Sequence, residues 1–195
     1  MSKSRTFRLC SIALLSALSI VVNAYSINIT NDISISFTYL VSFISGVFLG
    51  PIAGFSVGCI GDIIGCIIAP KGPYAITLTI SCGLMGVLPW LVFKLFKKLP
   101  KYLKIVISFA LVFLVCSVFI NTSTWYVMYS SKSEYFAYLI SRNSVQIWIV
   151  LINCIIMCAL FTPIEKLLSR FGITSVLSEK EEINSLREEK SDSTN

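Results

Sequence analysis

Pro51-Ile52-Ala53-Gly54-Phe55-Ser56-Val57-Gly58-Cys59-Ile60-Gly61-Asp62-Ile63-Ile64-Gly65-Cys66-Ile67-Ile68-Ala69 carries one charge, Asp62, in nineteen residues. At 1.5 Å per residue, a helix of that length spans about 28 Å, close to the ~30 Å hydrocarbon core of a bilayer. Gly50 suits the left-handed position that closes a helix, and Pro51 suits the first turn of the next. The preceding apolar run, Phe37 to Leu49, therefore joins this one in a tight helical hairpin. Gly54, Gly58, Gly61 and Gly65 follow at intervals of four, three and four, which makes one small-residue stripe along one face. Such stripes let backbones approach closely, and a flat ligand can exploit the same space. Asp62 lies beside the stripe, about 16 Å along the helix. A carboxylate at that depth costs roughly 2.5–3.5 kcal/mol on insertion scales, so it must face the bundle interior or a wet cavity. Either a hydrogen bond from a neighbouring helix or a ligand or ion contact answers that cost.

The rest of the chain repeats the pattern. Further apolar runs cover Leu9 to Ala24, Ala75 to Phe93 with Pro89 as an expected kink, Ile105 to Thr124, and Arg142 to Leu168. Mean hydropathy is +0.82 and charged residues are 13%, against about 25% in soluble domains. These features predict an all-α membrane protein, a bundle of six transmembrane helices over residues 1–168, with a charged, disordered cytoplasmic tail at 169–195. Leu9 to Ala24, preceded by Lys3, Arg5 and Arg8, also resembles a signal peptide, with Val22-Asn23-Ala24 as a passable cleavage site. Its small-residue pattern favours a retained helix.

Basic residues set the orientation. With both termini inside, thirteen of the sixteen lysines and arginines fall on inside segments and only Lys71, Lys132 and Arg142 outside. That asymmetry predicts cytoplasmic termini and external loops at Tyr25–Ser36 and Tyr126–Ser141. The net charge of +6 thus reports membrane orientation, and no nucleic acid is expected as a partner.

Several chemistries are excluded by residue type. There is no histidine, and the seven cysteines lie in apolar segments without a CxxC pair, so no zinc site is expected. No cofactor is expected either. Glu165 lies at the opposite end of its helix from Asp62's level, so the two cannot act as an acid–base pair, and the chain does not read as an enzyme. Polar side chains instead gather in the outer half: Asn23, Asn121, Arg142 and Gln146, with Tyr74, Lys71, Trp125, Tyr126 and Tyr129 at the outer helix ends. This asymmetry predicts a solute cavity open to the outside. Ala13 and Ala17, with Ser16, lie in the cytoplasmic half of the first helix, where small residues serve helix–helix docking.

Four blocks carry a resemblance. They are Ala13-Leu14-Leu15-Ser16-Ala17; Ile35-Ser36-Phe37-Thr38-Tyr39-Leu40; Leu49 to Gly54 with Gly58, Asp62, Gly65, Pro70, Gly72 and Tyr74; and Asn121-Thr122 with Tyr129 and Arg142. Together they resemble a substrate-binding S component of an energy-coupling factor (ECF) vitamin transporter, most like the folate family. The chain departs from that family at Asn23 and Val145, where basic residues are usual, and at Trp125, which is shifted by one position. The resemblance implies capture of a vitamin from outside, followed by ATP-driven import with a membrane coupling subunit and two cytoplasmic ATPases in the plasma membrane of a prokaryote. Consistent with that division of labour, the chain has no GxxxxGK[ST] phosphate loop. The resemblance also implies that Asp62, Tyr74, Asn121, Trp125, Tyr129, Arg142 and Gln146 bind substrate and that Ala13 and Ala17 dock the partner. A pterin head could then give paired donors to Asp62, stack on Trp125 or Tyr74, and place carboxylates near Arg142 and Lys71. Pantothenate, riboflavin or another heterocycle, or a stand-alone carrier, are the alternatives.

Overall fold

The computed structural model describes residues 3–28, 34–70, 74–96, 98–129 and 135–170. These form helical rods. Helix α1 is Lys3–Ala24. Helix α2 is Thr38–Ile44, running on through a wider π-helical turn, Ser45–Leu49. Helices α3 and α4 are Pro51–Ile68 and Ile76–Leu95. Helix α5 comprises Lys101–Val112, a π-helical stretch Phe113–Asn121, and Thr122–Tyr129. Helix α6 is Tyr135–Arg170. The last four rods are long and apolar enough to cross a membrane, while α1 and α2 supply the shorter apolar helices Arg8–Ala24 and Thr38–Leu49. The protein is an all-α membrane bundle. One end, the base, gathers the α2–α3 hairpin and the α4–α5 link, and the other end is termed the crown.

The hairpin forms as its residues dictate. Gly50 adopts φ of 95°, which a side chain would resist, and Pro51 starts α3. The glycine stripe is divided lengthwise between two neighbours. A Cβ on Gly58 would stand 2.2 Å from the Cys82 carbonyl oxygen of α4, and one on Gly61 would stand 2.0 Å from Ser19 Oγ of α1. The stripe therefore serves backbone packing on both sides of α3.

One expectation needs correction. The crown segment Tyr126–Ser141 is not a long loop: α5 continues to Tyr129 and α6 starts at Tyr135, well before Arg142. Tyrosines explain the extension. Tyr126 packs edge-on to Tyr135 at 5.0 Å and against Tyr138 at 5.8 Å, and Tyr135 hydroxyl lies 3.0 Å from Ser123 Oγ. Each extra turn thus buries ring surface that a loop would leave wet. In the polar stretch after α1, the two-residue segments Ile27–Asn28 and Ser34–Ile35 pair antiparallel, which leaves the architecture all-α. The tail beyond residue 170, Lys71, and the middle of both external loops lie outside the described residues.

The dry core fills the half of the bundle nearer the base. Phe43 stacks on Phe109 at 5.4 Å, and Phe93 and Phe161 pack edge-on to it at 5.8 and 6.4 Å. Val47, Ile105 and Met157 close the cluster. At the base, Lys101 pairs with Glu165 at 3.1 Å, tying α5 to α6. Arg8 donates to the Leu49 carbonyl, a cation at the C-terminal end of α2 where the helix dipole favours it.

Candidate functional site

Asp62 points inward and is only 7% exposed. Its Oδ1 accepts from Asn23 Nδ2 of α1 at 3.3 Å and from the Cys66 thiol at 3.9 Å, while Oδ2 accepts from Thr79 Oγ1 of α4 at 2.7 Å. Thr79 Oγ1 also lies 2.6 Å from Tyr74 hydroxyl. A threonine hydroxyl has one hydrogen, here committed to the carboxylate, so Tyr74 must be the donor in that pair. A relay therefore runs from Tyr74, half exposed at the crown, through Thr79 to Asp62. The same Asn23 amide reaches the Gly61 carbonyl at 3.2 Å. The carboxylate thus pins α1, α3 and α4 together, which is the neighbouring-helix reading of its depth.

Across the bundle, Arg142 is 5% exposed and donates through Nη1 to Thr122 Oγ1 at 2.9 Å. Asn143 Nδ2 gives a second donor to that oxygen at 3.2 Å, and Thr122 in turn donates to the Ser117 carbonyl at 2.8 Å. The five-residue reach of that last bond follows the π-helical winding of α5. Such widened turns carry functional groups with unusual frequency, because they release carbonyls and rotate side chains. Asn153 Nδ2 of α6 reaches the Ser36 carbonyl, just before α2, at 3.4 Å. Gln146 is buried beside Tyr39, whose hydroxyl also faces Arg142.

Between these two clusters lie buried polar atoms that the protein meets poorly. Ser42 Oγ on α2 and Ser117 Oγ and Asn121 Oδ1 on α5 are buried without a hydrogen bond, while Tyr39 hydroxyl lies beside Gln146 and Ser81 Oγ of α4 beside the Cys116 thiol, neither pair in good hydrogen-bond geometry. Each such atom costs about 1–3 kcal/mol when left unmet. Cys82 and Cys116 connect the set, Cys82 facing both Asp62 and Cys116, and Cys116 facing Ser81. The interior therefore offers a carboxylate at one side, a guanidinium at the other, and several hydroxyls that can donate or accept between them. These groups have the chemistry to meet a molecule of mixed polarity with hydrogen-bonding groups on several edges, once the helices part enough to admit one.

Of the residues singled out by sequence, Asp62 and Tyr74 join in one network and Arg142 and Gln146 in another. Asn121 presents its buried oxygen inward. Trp125 is half buried one turn further along α5. The side chain of Tyr129 lies outside the described residues. Ala13 and Ala17 are exposed on α1, on the side away from the Ser16, Ser19 and Asn23 face. Sequence reasoning missed Thr79, Ser42, Ser81 and Ser117. Hydroxyls in apolar helices commonly bond their own preceding turn, so nothing in their spacing set these apart. Among the described residues, no group of three or more cysteine, aspartate or glutamate side chains could hold a metal ion.

A family model described as "ECF transporter, substrate-specific component" matches residues 7–169. A solved structure described as a crystal structure of FolT bound with folic acid is similar, with a TM-score of 0.65 and 19% sequence identity. The match covers 76% of this chain and 90% of that one. At that identity the likeness is one of fold. A search of curated proteins found no match.

Proposed function

The chain belongs to the family of ECF transporter substrate-specific components, and from that premise we propose that it captures a folate-like heterocyclic vitamin on the outer side of a prokaryotic plasma membrane. The observation that carries this reading is the set of buried polar atoms without a well-formed hydrogen bond on Tyr39, Ser42, Ser81, Ser117 and Asn121, set between Asp62 and Arg142. A ligand that meets those atoms recovers their desolvation cost, and a heterocycle edged with ring nitrogens, amino and oxo groups can do so.

The roles follow from the geometry. A carboxylate has about four lone-pair sites. Asn23, Cys66 and Thr79 already use three of them, and the Cys82 thiol faces the same carboxylate. The paired donors of a pterin head can thus reach Asp62 only where these neighbours yield their places. Arg142 gives one donor to Thr122, and its planar guanidinium suits an anionic group of the ligand. Trp125 and Tyr74 supply flat surfaces near the crown, Gln146 joins them, and Tyr129 is the further residue we assign to the ligand. The fold shared with a folic-acid-bound structure supports the folate choice. Transport then requires a membrane coupling subunit and two cytoplasmic ATPases, with both termini and the tail inside. The exposed Ala13/Ala17 face of α1 is the docking surface for that module.

Titration calorimetry on detergent-purified protein tests the ligand, with mass spectrometry of any co-purified small molecule. Saturable folate binding that pantothenate and riboflavin do not displace is the expected result. Binding of a different heterocycle would reject folate alone, and binding of none would reject the site.

A further inference from the structure

A groove of about 420 Å³ opens on the outer surface of the bundle at the base, between α1 and α3. It is lined by Leu9, Ile12, Ile52, Ala53 and Ser56, with Arg8 at its end. The two helices run parallel and touch above the groove, where Ser19 meets Gly61; below it, Arg8 of α1 meets the Leu49 carbonyl at the end of α2, just before α3 begins. The groove is the gap between those contacts. Its wall is almost wholly apolar, and Ser56 turns its hydroxyl back to the Ile52 carbonyl at 2.9 Å, which removes the one polar side chain from the lining. A guanidinium thus stands at one end of an apolar slot that faces lipid.

The charge around that end selects the occupant. Lys94, Lys98, Lys101 and Lys166 share the base with Arg8, and among the described residues the only acidic group there is Glu165, which is paired with Lys101. One Arg8 donor goes to Leu49, and a guanidinium has five in a planar fork suited to phosphate oxygens. We propose that this groove is a binding site for an anionic phospholipid, its acyl chain along Leu9, Ile12 and Ile52 and its phosphodiester on Arg8. Basic pockets between membrane helices at the cytoplasmic level recognise headgroups in this way. The site is separate from the crown cluster and does not depend on which vitamin is carried.

Native mass spectrometry of the full chain in mild detergent, titrated with phosphatidylglycerol or phosphatidylcholine of matched chains, tests this. Phosphatidylglycerol should bind at least fivefold more tightly, the factor expected for about one basic side chain at an anionic lipid. Arg8→Gln, which keeps a donor for Leu49, should erase that preference. Ser56→Leu, which fills the slot from a half-buried position, should weaken both lipids alike. Millimolar inorganic phosphate should leave the adduct in place. Equal binding of the two lipids by the wild type, an unchanged preference in Arg8→Gln, unaffected lipid binding in Ser56→Leu, or displacement by inorganic phosphate would each overturn the proposal.

Discussion

Replacing Asp62 by asparagine separates the two jobs its carboxylate can have. An asparagine at this position can aim its amide nitrogen at Thr79, and the relay then reverses: the amide donates to Thr79 Oγ1, and Thr79 donates to Tyr74, whose half-exposed hydroxyl can turn to water. The oxygen stays with Asn23. No hydrogen bond in the Asn23–Asp62–Thr79–Tyr74 chain needs to be lost. What disappears is charge assistance, about 1 kcal/mol for each of two bonds. Against that stands relief of roughly 2.5–3.5 kcal/mol for no longer holding a charge at depth. The net is a gain of about 1 kcal/mol, or a rise in Tm of about 2–4 °C for a chain of this size. Ligand binding should move the other way. Loss of one member of a buried charge-assisted pair costs about 2–5 kcal/mol, so affinity should fall at least about thirtyfold. The assay is a thermal unfolding series in detergent, with and without ligand, beside titration of the variant. A Tm drop of more than about 5 °C with unchanged affinity would refute the reasoning, because the carboxylate would then be a structural pin that the ligand never meets.

Thr79→Val removes the donor to Asp62 Oδ2 without changing shape, and should lower stability by about 1.5–3 kcal/mol in the ligand-free protein, read as a Tm drop. Tyr74→Phe, at the exposed end of the relay, should lower it by less than about 1 kcal/mol in the same assay. Ser81→Ala should leave the ligand-free protein as stable as wild type or slightly more so, since its hydroxyl makes no well-formed hydrogen bond, yet weaken ligand binding by about two- to tenfold in calorimetry. Gly61→Ala should cost about 1–3 kcal/mol by forcing α1 from α3, and pairing it with Ser19→Ala should return part of that loss in thermal unfolding. Ala13→Leu with Ala17→Leu should leave ligand affinity unchanged and abolish uptake in vesicles containing the coupling module, because both side chains lie on the exposed face of α1.

Hydropathy made the helical rods legible, because an apolar run of bilayer length has few other fates. Gly50-Pro51 made the hairpin legible for a similar reason: each residue type answers a specific backbone demand. Asp62 was readable as inward-facing from its cost alone. Its partners were not, since Asn23 and Thr79 lie on other helices and only the crossing of α1 and α4 over α3 brings them to it. Arg142 and Gln146 stood out as polar groups at the start of an apolar run. Ser81 and Ser117 did not, since a serine that bonds its own helix and one that faces a site look alike in sequence. The extent of α5 and α6 at the crown escaped because it rests on tyrosine contacts between two segments, which no local pattern encodes.

The knot of Phe43, Phe93, Phe109 and Phe161 has a bearing on how cargo leaves. It closes the lower half of the bundle with interlocked rings, so a solute bound at the proposed crown site would sit above a floor of packed aromatic side chains. Such a molecule cannot serve as a pipe. Delivery on the far side then means tipping the whole vessel or prising its walls apart, and the coupling partners proposed above are what would do that work.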